Sequence, residues 1–230
     1  MEFTTTACNR IEIVERTLAS FTANMQGIEW EDSTLYINID PAPVAEGRDE
    51  LEAMCRNYFG NVVARKPDTP NYTAAYKWVW AQPKGDFFFN LEDDWILTEK
   101  VHINSLVQGL EEPHKIGAVC RAYPYHYKSC PTSPTLYRTS YFHMVSSKLD
   151  ITKNPETQLH EILKKEHRSG DRNSCPSRRV VIYPYGAVKI IVKDIGRLWS
   201  EKTGYTRPQT LNDTDPRYKK KCHFTSWVKK

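Results

Sequence analysis

Three consecutive acidic residues in the first half of the chain are the strongest chemical signal in the sequence. Glu92, Asp93 and Asp94 directly follow the largely apolar stretch 86–91. Carboxylate oxygens are the hard ligands that Mg²⁺ and Mn²⁺ prefer, and a cation bound there would neutralise a diphosphate. The other interpretation is a solvated acidic turn that favours the N-terminus of a following helix.

The neighbouring elements should place these carboxylates at an edge of a sheet. Residues 86–91 predict a strand that is apolar on both faces, which is typical of a central parallel strand. A helix over 71–82 should precede this strand, and a helix over 99–110, capped by Thr98, should follow it. Because ligands of open α/β sheets bind beyond the carboxyl ends of the strands, the acidic residues stand where a ligand is expected.

The N-terminal part of the chain alternates between strand and helix patterns. Strands are predicted over 3–7, 34–39 and 62–63, and helices over 11–21 and 49–59. This alternation indicates βαβ units, a mostly parallel sheet and therefore an α/β fold.

The second half of the chain has a weaker pattern. Residues 121–142 are rich in Tyr and Pro and predict loops, with one or two edge strands, around an acceptor site. Asn154 and Pro155 predict the start of a helix that runs to about residue 167. The remaining pattern predicts three strands, at 116–120, 179–183 and 187–192.

Composition excludes several classes of protein. The 230 residues are 40% hydrophobic and 26% charged, which is ordinary for a globular protein and unlike a collagen, a coiled coil or a disordered chain. At this length one core can bury roughly 70% of the surface of the unfolded chain, so a single domain over 1–230 is expected. The six cysteines include no CxxC pair and no zinc-site spacing with histidine.

The sequence also bears on location and partners. Residues 1–16 lack the basic and apolar regions of a secretion signal, and no run of about 18 apolar residues could cross a bilayer, so a cytoplasmic protein is predicted. The net charge is +4, and residues 217–230 hold six cations and no carboxylate. This tail could bind a polyanion such as DNA; the alternative is a solvated C-terminus.

Three segments together resemble the nucleotide-binding half of GT-A glycosyltransferases, especially the large inverting family 2. They are TTTACNR at 4–10, IDPAP at 39–43 and NYTAAYKWVWAQPKGDFFFNLEDDW at 71–95. In that family a first strand leads into an Asn-Arg turn, and a later apolar strand ends in the DxD metal motif. The resemblance covers about 3–112. It implies one Rossmann-like GT-A domain with a mixed, mostly parallel sheet flanked by helices, in which 1–112 binds the nucleotide sugar and 113–230 binds the acceptor.

The resemblance implies roles for residues of the donor half. Asp94 would bind the metal, and Glu92, which stands in place of a leading aspartate, or Asp93 would face the ribose or a metal-bound water. Lys77 would reach the diphosphate, and a late histidine, His223, would complete the metal site. Polar residues at strand ends would line the nucleoside pocket, namely Thr6, Asn9, Arg10 and Asp40. The local alternatives are a turn former for Asp40, a solvated helix lysine for Lys77 and an incidental histidine for His223.

The acceptor half should supply a general base, because an inverting transferase must deprotonate the acceptor hydroxyl. The family places this carboxylate near a helix start, which implies Glu156, with Asp150 in reserve. A first-turn glutamate is also favoured by the helix dipole alone. The DIGRLW segment joins a strand end to a cation and a ring, which predicts a phosphate contact for Arg197 and acceptor stacking for Trp199. A structural ion pair would equally explain Arg197.

The predicted function is a metal-dependent glycosyltransferase that uses Mn²⁺ or Mg²⁺. It would transfer a sugar with inversion from a nucleotide diphosphate sugar, in the first instance a UDP-sugar, to a hydroxyl of a glycan, a protein, a modified DNA base or a small molecule. The protein would be a monomer or a weak homo-oligomer with no membrane partner. Two alternatives stay open: a noncatalytic nucleotide-sugar or nucleic-acid binding module, and a nucleotidyltransferase, although the usual Gly-rich phosphate loop is absent.

Overall fold

The computed structural model describes residues 1–41, 46–120, 132–168, 179–185, 189–206 and 228–229. The helices within these ranges are α1 (Ile11–Asn24), α2 (Arg48–Cys55), α3 (Tyr72–Val79), α4 (Ile103–Gln108), α5 (Thr139–Lys148), α6 (Pro155–Arg168) and α7 (Gly196–Thr203). The strands are β1 (Glu2–Cys8), β2 (Met25–Gln26), β3 (Thr34–Asp40), β4 (Asn61–Arg65), β5 (Phe87–Glu92), β6 (Trp95–Leu97), β7 (Val101–His102), β8 (Gly117–Cys120), β9 (Thr135–Arg138), β10 (Val180–Tyr183), β11 (Val192–Asp194), β12 (Tyr205–Thr206) and β13 (Val228–Lys229). Among the described residues, no helix is long and apolar enough to cross a membrane.

A central sheet of seven strands has the order β10-β8-β9-β5-β1-β3-β4. Neighbouring strands are parallel except at β9, which is antiparallel to both β5 and β8. Residues of α1 and α2 belong to the apolar core on one face of the sheet, and residues of α3, α5 and α6 belong to the core on the other. The predicted α/β class, with a mixed and mostly parallel sheet flanked by helices, is confirmed.

Strand β5 lies in the middle of the sheet, as its two apolar faces predict. Phe89 packs with Phe3 in one core, and Phe88 packs with Trp80 and Phe142 in the other; all these side chains are buried. Successive side chains of a strand point to opposite faces, so consecutive phenylalanines serve both cores. Each such ring contributes about 2 to 3 kcal/mol of burial, which anchors the strand that carries the acidic residues.

The carboxyl ends of β1, β3 and β5 meet at one edge of the sheet. In the parallel register Cys8 lies opposite Asp40, and Thr6 lies opposite Glu92. The chain therefore brings residues that are far apart in sequence to the same edge, which is where ligands of open α/β sheets bind.

Two asparagines begin helices as the sequence predicts. The Asn71 carboxamide oxygen accepts the backbone N–H of Ala74 at 2.8 Å, and that of Asn154 accepts the N–H of Thr157 at 3.0 Å. Each bond satisfies one of the backbone donors left open in a first helical turn. The helix after Asn71 ends at Val79 and is shorter than predicted.

The predicted helix over 99–110 is wrong in its first part. Val101 and His102 form β7, which pairs in parallel with β2, and α4 begins only at Ile103. Val101 is 1% exposed, so pairing with β2 and burial hold this segment extended. The His102 ring, rather than Thr98, caps the helix by accepting the N–H of Asn104 at 3.2 Å.

The prediction of loops and edge strands over 121–142 is also wrong in the part of this segment that the structure describes. Residues 121–131 lie outside the described part of the chain, but β9 lies between β8 and β5 and is not an edge strand. Leu136 and Tyr137 are fully buried, and α5 begins directly afterwards at Thr139. The strand predicted over 187–192 is shifted to β11, and residues 186–188 are outside the described ranges.

Candidate active site at the carboxyl ends of the central strands

Asp93 and Asp94, which follow β5, meet Arg10, which follows β1. The Nη2 atom of Arg10 lies 2.9 Å from Asp93 Oδ2 and 3.1 Å from Asp94 Oδ2. The Arg10 side chain is fully buried, and the side chains of Asp93 and Asp94 are 6% and 18% exposed. We call this buried group of three charged side chains the arginine corner.

The backbone before α1 shapes the arginine corner. The Arg10 N–H donates to the Cys8 carbonyl at 2.7 Å, and the Arg10 carbonyl accepts the N–H of Val14 at 3.0 Å as α1 begins. The Cys8 N–H donates to Asp93 Oδ2 at 2.9 Å, and the Thr17 hydroxyl donates to the Asp93 carbonyl at 3.0 Å. Asp93 is therefore held by β1 and by α1 together.

A later part of the chain closes the other side of the corner. Because β11 pairs with β6, Asp194 lies opposite Trp95, and the next N–H, that of Ile195, donates to the Asp94 carbonyl at 2.8 Å. A Cβ atom on Gly196 would lie 2.1 Å from Asp94 Oδ2. A side chain at position 196, where α7 begins, would therefore have to displace the Asp94 carboxylate.

Trp199 covers the guanidinium from α7. Its ring centroid lies 5.3 Å from Arg10 Cζ, which is a cation–π distance. Sequence reasoning singled out Trp199 through the DIGRLW segment but gave it a role with the acceptor. The importance of Asp194 and Gly196 in the same segment was missed, since only the pairing of β11 with β6 brings them to Asp94.

The charges of the arginine corner change one another's ionisation. Burial raises the pKa of Asp94 to about 6, the neighbouring Asp93 and Asp194 charges add to the rise, and Arg10 opposes it. Burial alone would lower the pKa of Arg10, but the charges of Asp93, Cys8 and Asp94 and the Asp93 hydrogen bond together outweigh that effect, and the pKa lies above its ordinary value. Arg10 therefore stays positively charged at any pH at which the protein would be folded.

Asp40 at the end of β3 forms a second polar position on this edge. Asn38 Nδ2 donates to Asp40 Oδ1 at 2.7 Å, and Arg65 Nη1 donates to Asn38 Oδ1 at 3.2 Å. Burial raises the pKa of Asp40 to about 6, although the Asn38 bond and the Arg65 charge oppose the rise. A carboxylate in this position can accept a hydrogen bond from a base N–H or a ribose hydroxyl.

Glu92 at the end of β5 is held by a phenol. The Tyr76 hydroxyl donates to Glu92 Oε1 at 2.7 Å, and the Tyr76 side chain is fully buried in α3. Burial raises the pKa of Glu92 well above its ordinary value, and the nearby Asp94 and Glu156 charges add to the rise. The charge of Glu156, in the first turn of α6, therefore acts on Glu92 at the end of β5.

Glu156 is held by a hydroxyl as well. The Thr132 hydroxyl donates to Glu156 Oε1 at 2.7 Å. Thr132 is itself fixed by Asn90 in the middle of β5, whose Nδ2 donates to the Thr132 carbonyl at 2.7 Å. We call Glu92 and Glu156 with their donors Tyr76 and Thr132 the hydroxyl corner. No sequence signal pointed to Tyr76 or Thr132, because both act through contacts across the fold.

Among the comparisons with known proteins, only the comparison with solved structures gives matches. No protein-family model matches the chain, and no curated protein matches its sequence. The mannosyltransferase PcManGT from Pyrobaculum calidifontis, solved with GDP-Man and Mn²⁺, matches with a TM-score of 0.60 at 8% identity, over 80% of this chain and 54% of that chain. TarS from S. aureus, solved with UDP, matches with a TM-score of 0.57 at 11% identity, over 84% of this chain and 60% of that chain. Its complex with UDP-GlcNAc gives a TM-score of 0.54 at 13% identity, over 84% and 58% of the two chains.

These neighbours are GT-A-like glycosyltransferases. The chain has a GT-A-like fold. It spans between about half and three fifths of the length of the three matched chains. At identities this low the likeness concerns the fold, so the roles of individual residues in this GT-A-like chain rest on its own geometry.

The reserve base, Asp150, is engaged in a turn between α5 and α6. Its Oδ1 accepts the Thr152 N–H at 3.0 Å and the Thr152 hydroxyl at 2.7 Å, and its Oδ2 lies 3.2 Å from Lys153 Nζ. The bonds from Thr152 lower the pKa of Asp150 to about 2. Such a carboxylate is a weak base, which does not favour Asp150 as a general base.

The remaining predicted site residues lie at different places in the GT-A-like fold. Lys77 Nζ donates to the Leu149 carbonyl at 2.9 Å, so the lysine fastens the chain between α5 and α6 to α3. Thr6 is half-buried in β1, and Asn9 is buried and donates to the Glu46 carbonyl. The backbone of Arg197 belongs to α7, but its side chain and the whole of His223 lie outside what the structure describes. Their proposed roles stay predictions.

The resemblance implies a divalent cation at this carboxylate pair, but one oxygen of each carboxylate already accepts hydrogen bonds from the protein. Asp93 Oδ2 already accepts from Cys8 and Arg10, and Asp94 Oδ2 accepts from Arg10 and packs against Gly196. Within the described ranges no group of three or more His, Cys, Asp or Glu residues is placed to hold a metal ion. The assignment of Asp94 as a metal ligand stays a prediction that this geometry does not favour.

Proposed function

We propose that this protein is a glycosyltransferase that moves a sugar from a nucleoside diphosphate sugar to an acceptor hydroxyl. The observation that carries the proposal is the hydrogen bond to Glu156 of α6 from Thr132, which is itself fixed by Asn90 of β5, in a GT-A-like fold. This bond supports a role for Glu156, in the proposed acceptor half, near the strand that ends in the acidic residues. A transferase needs both parts, one to hold the donor and one to activate the acceptor.

The donor would lie across the ends of β1 and β3. Asp40, with Asn38 beside it, is suited to a nucleoside, and the turn that contains Asn9 and Arg10 would lie near the diphosphate. Support for this donor class comes from the structural neighbours, since PcManGT was solved with GDP-Man and TarS with UDP and UDP-GlcNAc. A UDP-sugar is the first donor to test.

Glu156 would act as the general base. It removes the proton of the acceptor hydroxyl while the hydroxyl oxygen bonds to the anomeric carbon, and the bond from that carbon to the diphosphate oxygen breaks with its electron pair on the departing nucleoside diphosphate. Attack from the side opposite the leaving group inverts the anomeric configuration. The Thr132 bond to Oε1 orients the carboxylate so that Oε2 can take the proton.

We further propose one GT-A-like domain with two halves, in which 1–112 binds the donor and 113–230 binds the acceptor. The acceptor would be a hydroxyl of a glycan, a protein, a modified DNA base or a small molecule. The basic tail at 217–230, on which the DNA prediction depends, lies outside the described residues except for 228–229.

A thermal-shift series tests the donor. UDP, GDP, UDP-GlcNAc, UDP-glucose and GDP-mannose are each added to the full chain with EDTA and with Mn²⁺. A true ligand at about 100 times its Kd stabilises the protein by about 2.7 kcal/mol. Asp40→Asn should lose the shift, whereas Asp86→Asn, at the exposed amino end of β5, should keep it. The proposal fails if no nucleotide or nucleotide sugar shifts the wild type under either condition.

Turnover separates an enzyme from a binding module. Release of free sugar from the donor that binds best, in the absence of acceptor, is expected at a slow rate and should fall in Glu156→Gln. Binding without release, and without transfer to any of the four acceptor classes, would instead make the protein a noncatalytic module. Release of pyrophosphate from a nucleoside triphosphate and a sugar phosphate would identify a nucleotidyltransferase.

A further inference from the structure

The carboxylate pair of the arginine corner already has a cation, and this cation belongs to the chain. A single nitrogen of Arg10 lies within 3.1 Å of an oxygen of each carboxylate. A guanidinium carries its charge permanently and presents donors in a rigid plane, which suits two carboxylates side by side. The pair is thus bridged by the protein itself.

Arg10 is enclosed on several sides. Its side chain is fully buried, the ring of Trp199 lies over it, and its own carbonyl starts α1. Rotation of the side chain away from the pair would expose two buried carboxylates without a counter-charge and would disrupt the packing of α7. The guanidinium is therefore a fixed part of the site rather than a surface group that a dissolved ion could readily replace.

A divalent cation at the same pair would meet unfavourable charge and limited space. Mn²⁺ or Mg²⁺ binds carboxylate oxygens at about 2.0 to 2.2 Å, which at Asp94 Oδ2 means lying within a few ångströms of Arg10 Nη2. At such a separation the repulsion between two cations is strong in a buried site. The backbone of Gly196 lies close to the same oxygen, because a Cβ atom added to this glycine would be 2.1 Å from it.

We propose that Arg10 is the resident counter-cation of Asp93 and Asp94 and that this pair does not bind a divalent cation in the folded protein. As a consequence, a nucleoside diphosphate binds equally well with and without Mn²⁺ or Mg²⁺. That the pair binds no divalent cation is inferred from the arginine corner alone. That the nucleotide binds equally well without a metal also rests on the proposed function.

Titration of the full chain with Mn²⁺ alone, followed by the electron paramagnetic resonance signal of the free ion, tests the metal statement. Wild type should show no saturable binding that depends on Asp94. Arg10→Gln, which removes the charge and keeps polarity, should gain one Mn²⁺ per chain, and Asp94→Asn added to that variant should abolish it. Arg56→Gln, which removes an exposed arginine paired with Glu52, is the matched control and should behave as wild type.

Two results would overturn the proposal. One is saturable Mn²⁺ binding by wild type that disappears in Asp94→Asn, because the pair would then accept the ion with Arg10 in place. The other is an Arg10→Gln variant that folds and gains no Mn²⁺ binding, because Arg10 would then not be what excludes the ion. If Arg10→Gln does not fold, the comparison of wild type with Asp94→Asn decides the question alone, and Arg10→Lys should still exclude Mn²⁺.

Isothermal titration with UDP in EDTA and in millimolar Mn²⁺ tests the nucleotide statement. The two dissociation constants should agree within about twofold. A loss of affinity of tenfold or more in EDTA overturns this statement. Absence of UDP binding under both conditions contradicts the proposed function instead. The role of Arg10 is then decided by the Mn²⁺ titration alone.

Discussion

The arginine corner and the hydroxyl corner stand at the end of the same strand, yet they hold their carboxylates in opposite ways. Asp93 and Asp94 face a buried cation, whereas Glu92 and Glu156 accept hydrogen bonds from the neutral hydroxyls of Tyr76 and Thr132. A buried cation offsets the charge of a carboxylate and favours its ionised form, as Arg10 does when it opposes the rise in the pKa of Asp94. A neutral donor orients a carboxylate and leaves it able to accept a proton.

This contrast suggests a division of work. The arginine corner fixes the end of β5, the start of α1 and the start of α7 relative to one another, as the proposed donor site would require. The hydroxyl corner keeps one carboxylate exposed at the first turn of α6, as the proposed general base would require. Variants of the two corners should therefore fail in different ways, the first mainly in stability and the second mainly in turnover.

Replacement of Arg10 by methionine should have the largest effect on stability. Breaking a buried ion pair leaves charge without a partner, and we expect the free energy of unfolding at pH 7 to fall by about 3 to 5 kcal/mol. The penalty should shrink as the pH drops from 7 to 5, because Arg10 opposes the rise in the pKa of Asp94, and without Arg10 the buried carboxyl takes up a proton in the folded state more readily than in wild type. Urea unfolding at pH 5 and pH 7 measures both effects.

Arg56→Met is the control for that variant, since its pair with Glu52 is half exposed and should contribute at most about 1 kcal/mol. Equal losses in the two variants would mean that the arginine corner does not depend on its buried cation, and the contrast with the hydroxyl corner would disappear.

Glu156→Gln should leave stability and donor affinity close to wild type and lower kcat by roughly 10² to 10⁴, because the amide keeps the shape of the side chain but cannot take the proton. Glu161→Gln, an exposed substitution on the same helix, is the control and should retain wild-type kcat. Steady-state kinetics at varied donor concentrations measures kcat and the KM for the donor separately. A rise in the KM for the donor with unchanged kcat would show that Glu156 is not the general base.

Asp40→Asn tests a carboxylate that is held mainly by an amide. Burial raises the folded pKa of Asp40 from 3.8 to about 6, so the folded protein binds more protons than the unfolded chain between these values, and ionisation of Asp40 lowers stability as the pH rises through this window. Because the side chain is partly exposed, we expect Asp40→Asn to stabilise the protein by about 1 to 2 kcal/mol at pH 7. Below about pH 4 the difference should vanish.

Thermal or urea unfolding of Asp40→Asn across pH 4 to 8 checks this sign. If the variant is less stable than wild type at pH 7, the Arg65 charge stabilises the ionised Asp40 more than burial destabilises it. Asp40 would then resemble Asp93 and Asp94, whose carboxylates are paired with a cation.

Thr132→Val should have the smallest effect, a loss of about tenfold in kcat, because it removes the hydrogen bond that orients Glu156 but not the carboxylate itself. Thr132→Ser keeps the hydroxyl and should restore most of the activity. If both variants lose kcat equally, the packing of the side chain at position 132 determines the loss and its hydroxyl does not. The hydrogen bond from Thr132 to Glu156 would then have no role in turnover.

Local chemistry in the sequence was sufficient for several features of this protein. The consecutive phenylalanines before the acidic residues predicted a central strand, because only a strand buried on both faces can bury Phe88 and Phe89 together. Asn154 predicted a helix start because its side chain can reach a backbone N–H three residues ahead. These signals act over a few residues, so they can be read without knowledge of the fold.

Pairing between distant segments decided the rest. The segment at 121–142 is rich in Tyr and Pro and has no clear period, and insertion of its later part between two other strands is what makes β9, with α5 directly after it. Likewise, Arg10 and Asp93 are 83 residues apart in sequence and meet because β1 and β5 are neighbours in parallel register. The sequence by itself determined which residues could carry charge at a strand end; the tertiary structure determined that Arg10 is their partner, because only the packing of β1, β5 and α7 excludes water from that contact.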